Sequence, residues 1–395
     1  MRPGPSDKGV SWEELFFDLA FVFALTQFSQ LLHEDHGWAG IGRVLILFVP
    51  VYWAWGGVTL YINQRDTDAV VDRVGVFTLG FASLLMALTI PGAYEDHGLL
   101  FVGVYIASRA LLAALALRKR LSWRNIFVGP YVFFLLVGPL LVAGALMDGA
   151  PRIAFWAVAA TVDLLSPWVV RHLTTQPRAQ PVHYTHRYGL LIILVLGESV
   201  IEVGAVSVDG ELNPVRLTAI GAAYAMVGVL AWLYFGFGLP DFREALDRAA
   251  DQVDLRRAIL VYGHLLFSFG IIAIAVGLAD TVPAPLSPLP TREAMLLFGG
   301  CALFLGTFAY AHWRIHRTIA WRRIGGTVAC LLLVPPAMVM PALAGVVCLI
   351  LVVALVAAAE QLAVRRRSGD AASGSAGYRP FSDEDPDSGP ATAGV

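Results

Sequence analysis

Charge is scarce in this chain. Of its 395 residues, 15% are charged and 57% are hydrophobic, whereas an ordinary soluble domain carries about 25% charged residues. That excludes a conventional soluble globular fold, and with a net charge of -2 no nucleic-acid partner is expected. Lysine is confined to Lys8 and Lys119, so arginine carries almost all the positive charge. Cysteine is limited to Cys301, Cys330 and Cys348, all inside apolar stretches. An odd number without C-x-x-C spacing excludes a disulfide frame or a cysteine zinc site, and each reads as a small buried hydrophobe. The short catalytic signatures are missing too: G-x-S-x-G, G-x-x-x-x-G-K-[ST], H-E-x-x-H and a Gly-rich strand-to-helix turn. No cleavable leader is expected, because the first apolar stretch holds Glu14 and Asp18 and no small-residue cleavage site follows it.

What the chain does have is a series of about twelve apolar stretches, each close to the ~20 residues that cross a hydrocarbon core as a helix. They fall near 13–32, 41–62, 74–92, 99–117, 126–147, 153–170, 188–207, 216–238, 258–279, 293–312, 325–341 and 343–363. Pro335, Pro336 and Pro341 punctuate the last run and place a tight hairpin there. The expected fold is therefore an all-α, polytopic transmembrane bundle of about twelve spans in the lipid bilayer. Arginine sets its orientation. The connections on one side collect Arg65, Arg73, Arg118, Arg120, Arg124, Arg171, Arg178, Arg187, Arg243, Arg248, Arg256, Arg257, Arg314, Arg317, Arg322 and Arg323, whereas the other side keeps Arg43, Arg152, Arg216 and Arg292. The positive-inside rule then puts both termini in the cytoplasm of a bacterial inner membrane. Residues 1–12 form a cytoplasmic N-terminus, 13–170 a first six-helix half, 171–187 a linker, 188–363 a second half, and 364–395 a disordered tail too poor in large apolar side chains to fold. The two halves are suggested by a repeated order: aromatics and glycines, a charged connection, then a span, at 52–92 and again at 232–280.

Function is to be sought among ionisable groups placed where lipid forbids them. The first span carries Glu14 and Asp18 and the seventh carries Glu198 and Glu202, each pair four apart and so on one helix face. Asp18 lies ~9 Å inside the cytoplasmic edge and Glu198 about 17 Å beyond Arg187, near the midplane. A charge there costs ~3 kcal/mol, so such a group faces the bundle or a cavity and is commonly functional. Glu14 also sits where a carboxylate caps a helix N-terminus. Asp18 is placed to pair with Arg109 or Arg187. Asp163 and His264 are further ionisable groups within spans, His264 reading as a packing histidine. The tyrosines and tryptophans at 52, 53, 55, 61, 232 and 234 read as an interface belt. His33 and His36 with Glu34 and Asp35 read as a solvated acidic turn that also has the residue types of a surface metal site.

A second constellation lies in the charged connections. Asp68 with Asp72 and Asp247 with Asp251 repeat an Asp-x-x-x-Asp step among arginines. Their plainest reading is a set of exposed ion pairs. The same residues could bind Mg²⁺ and, with the arginines, a diphosphate. In pairing Asp-rich motifs the chain resembles the UbiA superfamily of membrane prenyltransferases, with different spacing and more spans.

The segments "WEELFFDLAFVFALTQ" and "HRYGLLIILVLGES" together resemble the bacterial low temperature requirement A (LtrA) family over roughly residues 12–360. The resemblance implies a membrane protein linked to growth in the cold and implies no particular reaction. Glu14, Asp18, Arg187 and Glu198 match the family's motifs. Three readings follow. The first is a proton- or cation-coupled secondary transporter of an unknown small molecule or ion, without a cofactor, using Glu14, Asp18, Arg109, Arg187, Glu198 and Glu202. The second is a membrane enzyme holding a prenyl or lipid diphosphate through Mg²⁺ on the Asp clusters. The third is a non-catalytic scaffold.

Overall fold

Every regular element among the described residues is a helix. The computed structural model describes residues 10–63, 69–118, 132–169, 181–208, 210–249 and 252–375. In chain order the helices are α1 (Trp12–Glu34), α2 (Trp38–Asn63), α3 (Val70–Thr89), α4 (Gly98–Arg118), α5 (Phe133–Ala145) and α6 (Ala150–Val169). Then come α7 (Pro181–Val208), α8 (Pro214–Arg248), α9 (Val253–Thr281), α10 (Thr291–His316), α11 (Trp321–Leu332) and α12 (Ala342–Ser375). Among the described residues, 9 of these are long and apolar enough to cross a membrane. The others, α5, α6 and α11, fall at the fifth, sixth and eleventh expected spans. The proline-punctuated hairpin is present: α11 stops at Leu332, a single helical turn Val334–Ala337 follows, and α12 starts after Pro341. That last helix runs on to Ser375, into the segment expected to be a tail, and residues 376–395 lie outside the described ones.

One connection differs from its expectation. The residues around Asp241 and Asp247 are not a loop but the end of α8, carried there by a π-helical stretch, Tyr234–Gly238. The reason lies in spacing: Phe242 and Leu246, four apart, are both buried, so the charged segment is an amphipathic helix with its apolar stripe on the bundle. A second π stretch, Arg257–Gly263, lies within α9. The wider turns bring Tyr234 and His264 together, the tyrosine hydroxyl 2.6 Å from Nε2 while Nδ1 donates to the Ile259 carbonyl at 3.0 Å. His264 is thus the satisfied packing histidine that the sequence suggested.

Packing repeats itself along the chain. Helix α1 lies against α2 and α3, as α7 lies against α8 and α9. Helix α3 packs on α4, α4 on α5, α5 on α6 and α2 on α6; likewise α9 packs on α10, α10 on α11, α11 on α12 and α8 on α12. The two sets of six meet where α1 touches α7 and α9, and where α2 touches α7. Helices α9 and α10 approach closely. A Cβ added at Gly277 would stand 2.5 Å from Leu297 Cβ, and one at Gly300 would stand 2.7 Å from the Gly270 carbonyl. Small residues that let backbones approach are how helices associate where lipid offers no hydrophobic drive.

The aromatic belt expected on α2 is turned inward instead. Tyr52, Trp55 and Tyr61 are buried, as is Tyr234 on α8, and only Trp232 faces outward. The polar tips explain this: Trp55 and Tyr61 donate to buried carboxylates, and the Tyr52 hydroxyl donates to the Val261 carbonyl at 2.7 Å.

Candidate functional site

Helices α1 and α7 run parallel, and their polar side chains pair in register: Glu14 with His183, Asp18 with Arg187, Thr26 with Glu198. At the arginine-rich end, Ser11 and Glu14 form a capping box, the Ser11 N–H donating to Glu14 Oε1 at 3.1 Å. Glu14 therefore caps its helix as expected, but it does more. His183 Nε2 lies 3.3 Å from Oε1 and Arg187 Nε 3.1 Å from Oε2, all three side chains fully buried. Asn63 donates its amide N–H to His183 Nδ1 at 2.9 Å, which leaves the imidazole proton on Nε2, aimed at Glu14.

One turn further in, Arg187 grips both oxygens of Asp18. Trp55 Nε1 donates to Asp18 Oδ1 at 2.9 Å, and the guanidinium lies 5.6 Å from the centre of the Trp55 ring. Between the two partners left open by the sequence, Asp18 has chosen Arg187. Two carboxylates, one guanidinium and one imidazole thus share a buried cluster, each held by at least one charged neighbour. This is a rigid structural knot, since a bidentate arginine fork fixes geometry as well as charge.

Glu198 is different. It is fully buried, about 17 Å along α7 from Arg187 by helical rise. Thr26 donates to its Oε2 at 2.8 Å, and Ser29 lies beside it. No basic side chain pairs with it among the described residues, and its Oε1 makes no hydrogen bond there. Glu202, a turn beyond, is also buried and lies within electrostatic reach of His33. His33 and His36 both reach Asp280 at the end of α9, at 3.2 and 3.1 Å. Burial pushes the His36 imidazole below the usual histidine range. A polar seam of acids, hydroxyls and imidazoles therefore lines the α1–α7 contact from one end of the bundle to the other.

The other predicted residues lie apart from this seam. Arg109 on α4 sits 4.8 Å over the Phe133 ring and within electrostatic reach of Asp163 on α6, which accepts a 2.8 Å hydrogen bond from the Tyr105 hydroxyl. Of the Asp clusters, Asp68 and Asp251 lie outside the described residues. Asp72 is fully buried and takes a 2.6 Å ion pair from Arg118 and a 2.9 Å hydrogen bond from Tyr61. Asp247 is exposed on α8. Sequence reasoning missed His183, Asn63, Thr26 and Asp280. A signal for His183 existed: it precedes Arg187 by the same four residues that separate Glu14 from Asp18.

Residues 9–358 match the family described as bacterial low temperature requirement A protein (LtrA). A protein of Rhizobium meliloti (strain 1021), named as the uncharacterized protein RA0937, is 29% identical over 309 residues, covering 75% of this chain and 75% of its own length. No solved structure matches the chain. The two motifs that contribute Glu14, Asp18, Arg187 and Glu198 to the seam lie within the matched region, and the chain belongs to the bacterial low temperature requirement A family.

Proposed function

We propose that this protein is a secondary transporter of the bacterial inner membrane, coupled to protons or another small cation, with both termini cytoplasmic and Glu198 as the carboxylate that is loaded and unloaded. The observation that carries the reading is the contrast between two buried acids on one seam. Asp18 is neutralised by Arg187, whereas Glu198 has a hydroxyl partner and no base among the described residues. A carboxylate at that depth without a counter-ion has to gain a proton or cation to remain there at low cost. The repeated packing of six helices against six supports the same reading, because transporters commonly place coupling residues where two repeats meet. The enzyme reading gains no support: Asp72 is engaged by Arg118 and Tyr61 rather than presented to a Mg²⁺ ion.

Proteoliposomes carrying the full chain and an internal pH dye provide the test. With an imposed pH gradient, the wild type should move protons and Glu198→Gln should not, while Glu198→Asp should keep part of the flux. Full pH-dependent flux in Glu198→Gln would refute the role. Wild-type behaviour of Glu198→Leu would favour a scaffold.

A further inference from the structure

We propose that His33, His36 and Asp280 form a binding site for a divalent transition-metal ion, Zn²⁺ foremost, at the arginine-poor end of the bundle. The three residues come from the last turn of α1, the short connection to α2 and the last turn of α9, and their ligand atoms all lie within 4.8 Å of one another. His33 Nδ1 stands 3.2 Å from Asp280 Oδ1 and His36 Nε2 stands 3.1 Å from Asp280 Oδ2. Tetrahedral zinc with bonds of 2.0–2.1 Å separates its ligand atoms by about 3.3 Å, so the spacing suits a bridging ion with little movement. The second pair is informative. His36 Nε2 and Asp280 Oδ2 are both shut off from solvent, yet neither makes a hydrogen bond of acceptable angle among the described residues. A ring nitrogen and a carboxylate oxygen held 3.1 Å apart but out of line for a hydrogen bond are placed to share a third body between them.

The donor set selects the metal. Two imidazoles and one carboxylate suit zinc and its neighbours and not Mg²⁺ or Ca²⁺, which take oxygen. Three protein ligands also leave a fourth position for water or an exchanging group. Charge agrees: Glu202 and Glu293 interact electrostatically with Asp280, and Asp35 and Glu293 with His36, against the opposing charge of Arg292 on His36. The other histidine–aspartate group, Asp241 with His312 and His316, has mixed surroundings: Glu244 and Asp254 line its pocket together with Arg248, Arg314 and Arg317, and His312 feels Arg323 as well as Glu360, a less favourable setting for a cation.

Binding is read on the solubilised protein without any flux, so the site stands or falls separately from the role of Glu198. The tag-free full chain, stripped with chelator, is titrated with CoCl₂ and then ZnCl₂. The expected result is one Co²⁺ per chain with the intense visible absorption of a four-coordinate complex, bleached by Zn²⁺. His36→Ala and Asp280→Asn should each weaken Zn²⁺ binding about a hundredfold or more, since even outer-shell changes cost 10–100-fold. His36 lies in a connection, so its variant should elute from size exclusion like the wild type and can decide the matter alone. A Co²⁺ spectrum no stronger than that of the free aquo ion would overturn the site. So would equal Zn²⁺ affinity in wild type and His36→Ala.

Discussion

Arg187 meets Asp18 through two hydrogen bonds, Nη1 to Oδ2 at 2.6 Å and Nη2 to Oδ1 at 2.8 Å, both side chains shielded from solvent. Removing one member of such a pair strands the other's charge. Arg187→Met should lower the stability of the detergent-solubilised protein by about 3–5 kcal/mol, and the double variant Asp18→Leu with Arg187→Met should recover most of that loss. Thermal unfolding checks both. A single Arg187→Met variant as stable as the wild type would show that the knot is not structural.

The link at mid-depth is weaker and should behave differently. Thr26→Val keeps the volume but removes the hydrogen bond to Glu198, at a stability cost of about 1 kcal/mol. If Glu198 couples flux to protons, the variant should move the midpoint of the pH profile measured in proteoliposomes. An unmoved midpoint with unchanged flux would count against the proposed function.

Asp72 offers a test of the enzyme reading. Tyr61→Phe and Asp72→Ala each break a buried network and should cost about 1–3 kcal/mol. Added MgCl₂ should leave the melting temperature of wild type and variants alike unchanged. A Mg²⁺-dependent rise seen in the wild type and lost in Asp72→Asn would bring the diphosphate enzyme back.

Close helix packing predicts one more sensitive position. Gly277→Ala forces its new methyl against Leu297 Cβ and, at 3.0 Å, against the Leu297 Cα, which cannot rotate away. A loss of about 1–3 kcal/mol is expected, read as a lower unfolding temperature. Gly299→Ala, with open space around it, is the matched control and should be near neutral.

Much of the architecture was legible because the bilayer imposes a length on every span, and the prolines at 335, 336 and 341 mark the last hairpin. At the end of α8 the density of charge argues for a loop, whereas the four-residue spacing of Phe242 and Leu246 is the signal that decides for a helix. At the site, the carboxylates on α1 and α7 were visible as anomalies in oil. Their partners were not, for a physical reason: pairing depends on how parallel helices are rotated, and spans apolar on every side leave that rotation unspecified. Asn63, Thr26 and Trp55 look like ordinary span residues until α1, α2 and α7 are set side by side. Asp280 meets His33 and His36 only because α9 ends where α1 ends.

The recurrence of one six-helix arrangement has a mechanical consequence. Because α1 and α7 each belong to a different set, every cross-link between them resists relative tilting. The charged fork of Arg187 is stiff and lies toward one end; the lone hydroxyl link to Glu198 is compliant and lies halfway along. Should the two sets rock, the fork is the natural fulcrum, displacement grows with distance from it, and both acids of the far half, Glu202 ahead of Glu198, lie on the side that opens.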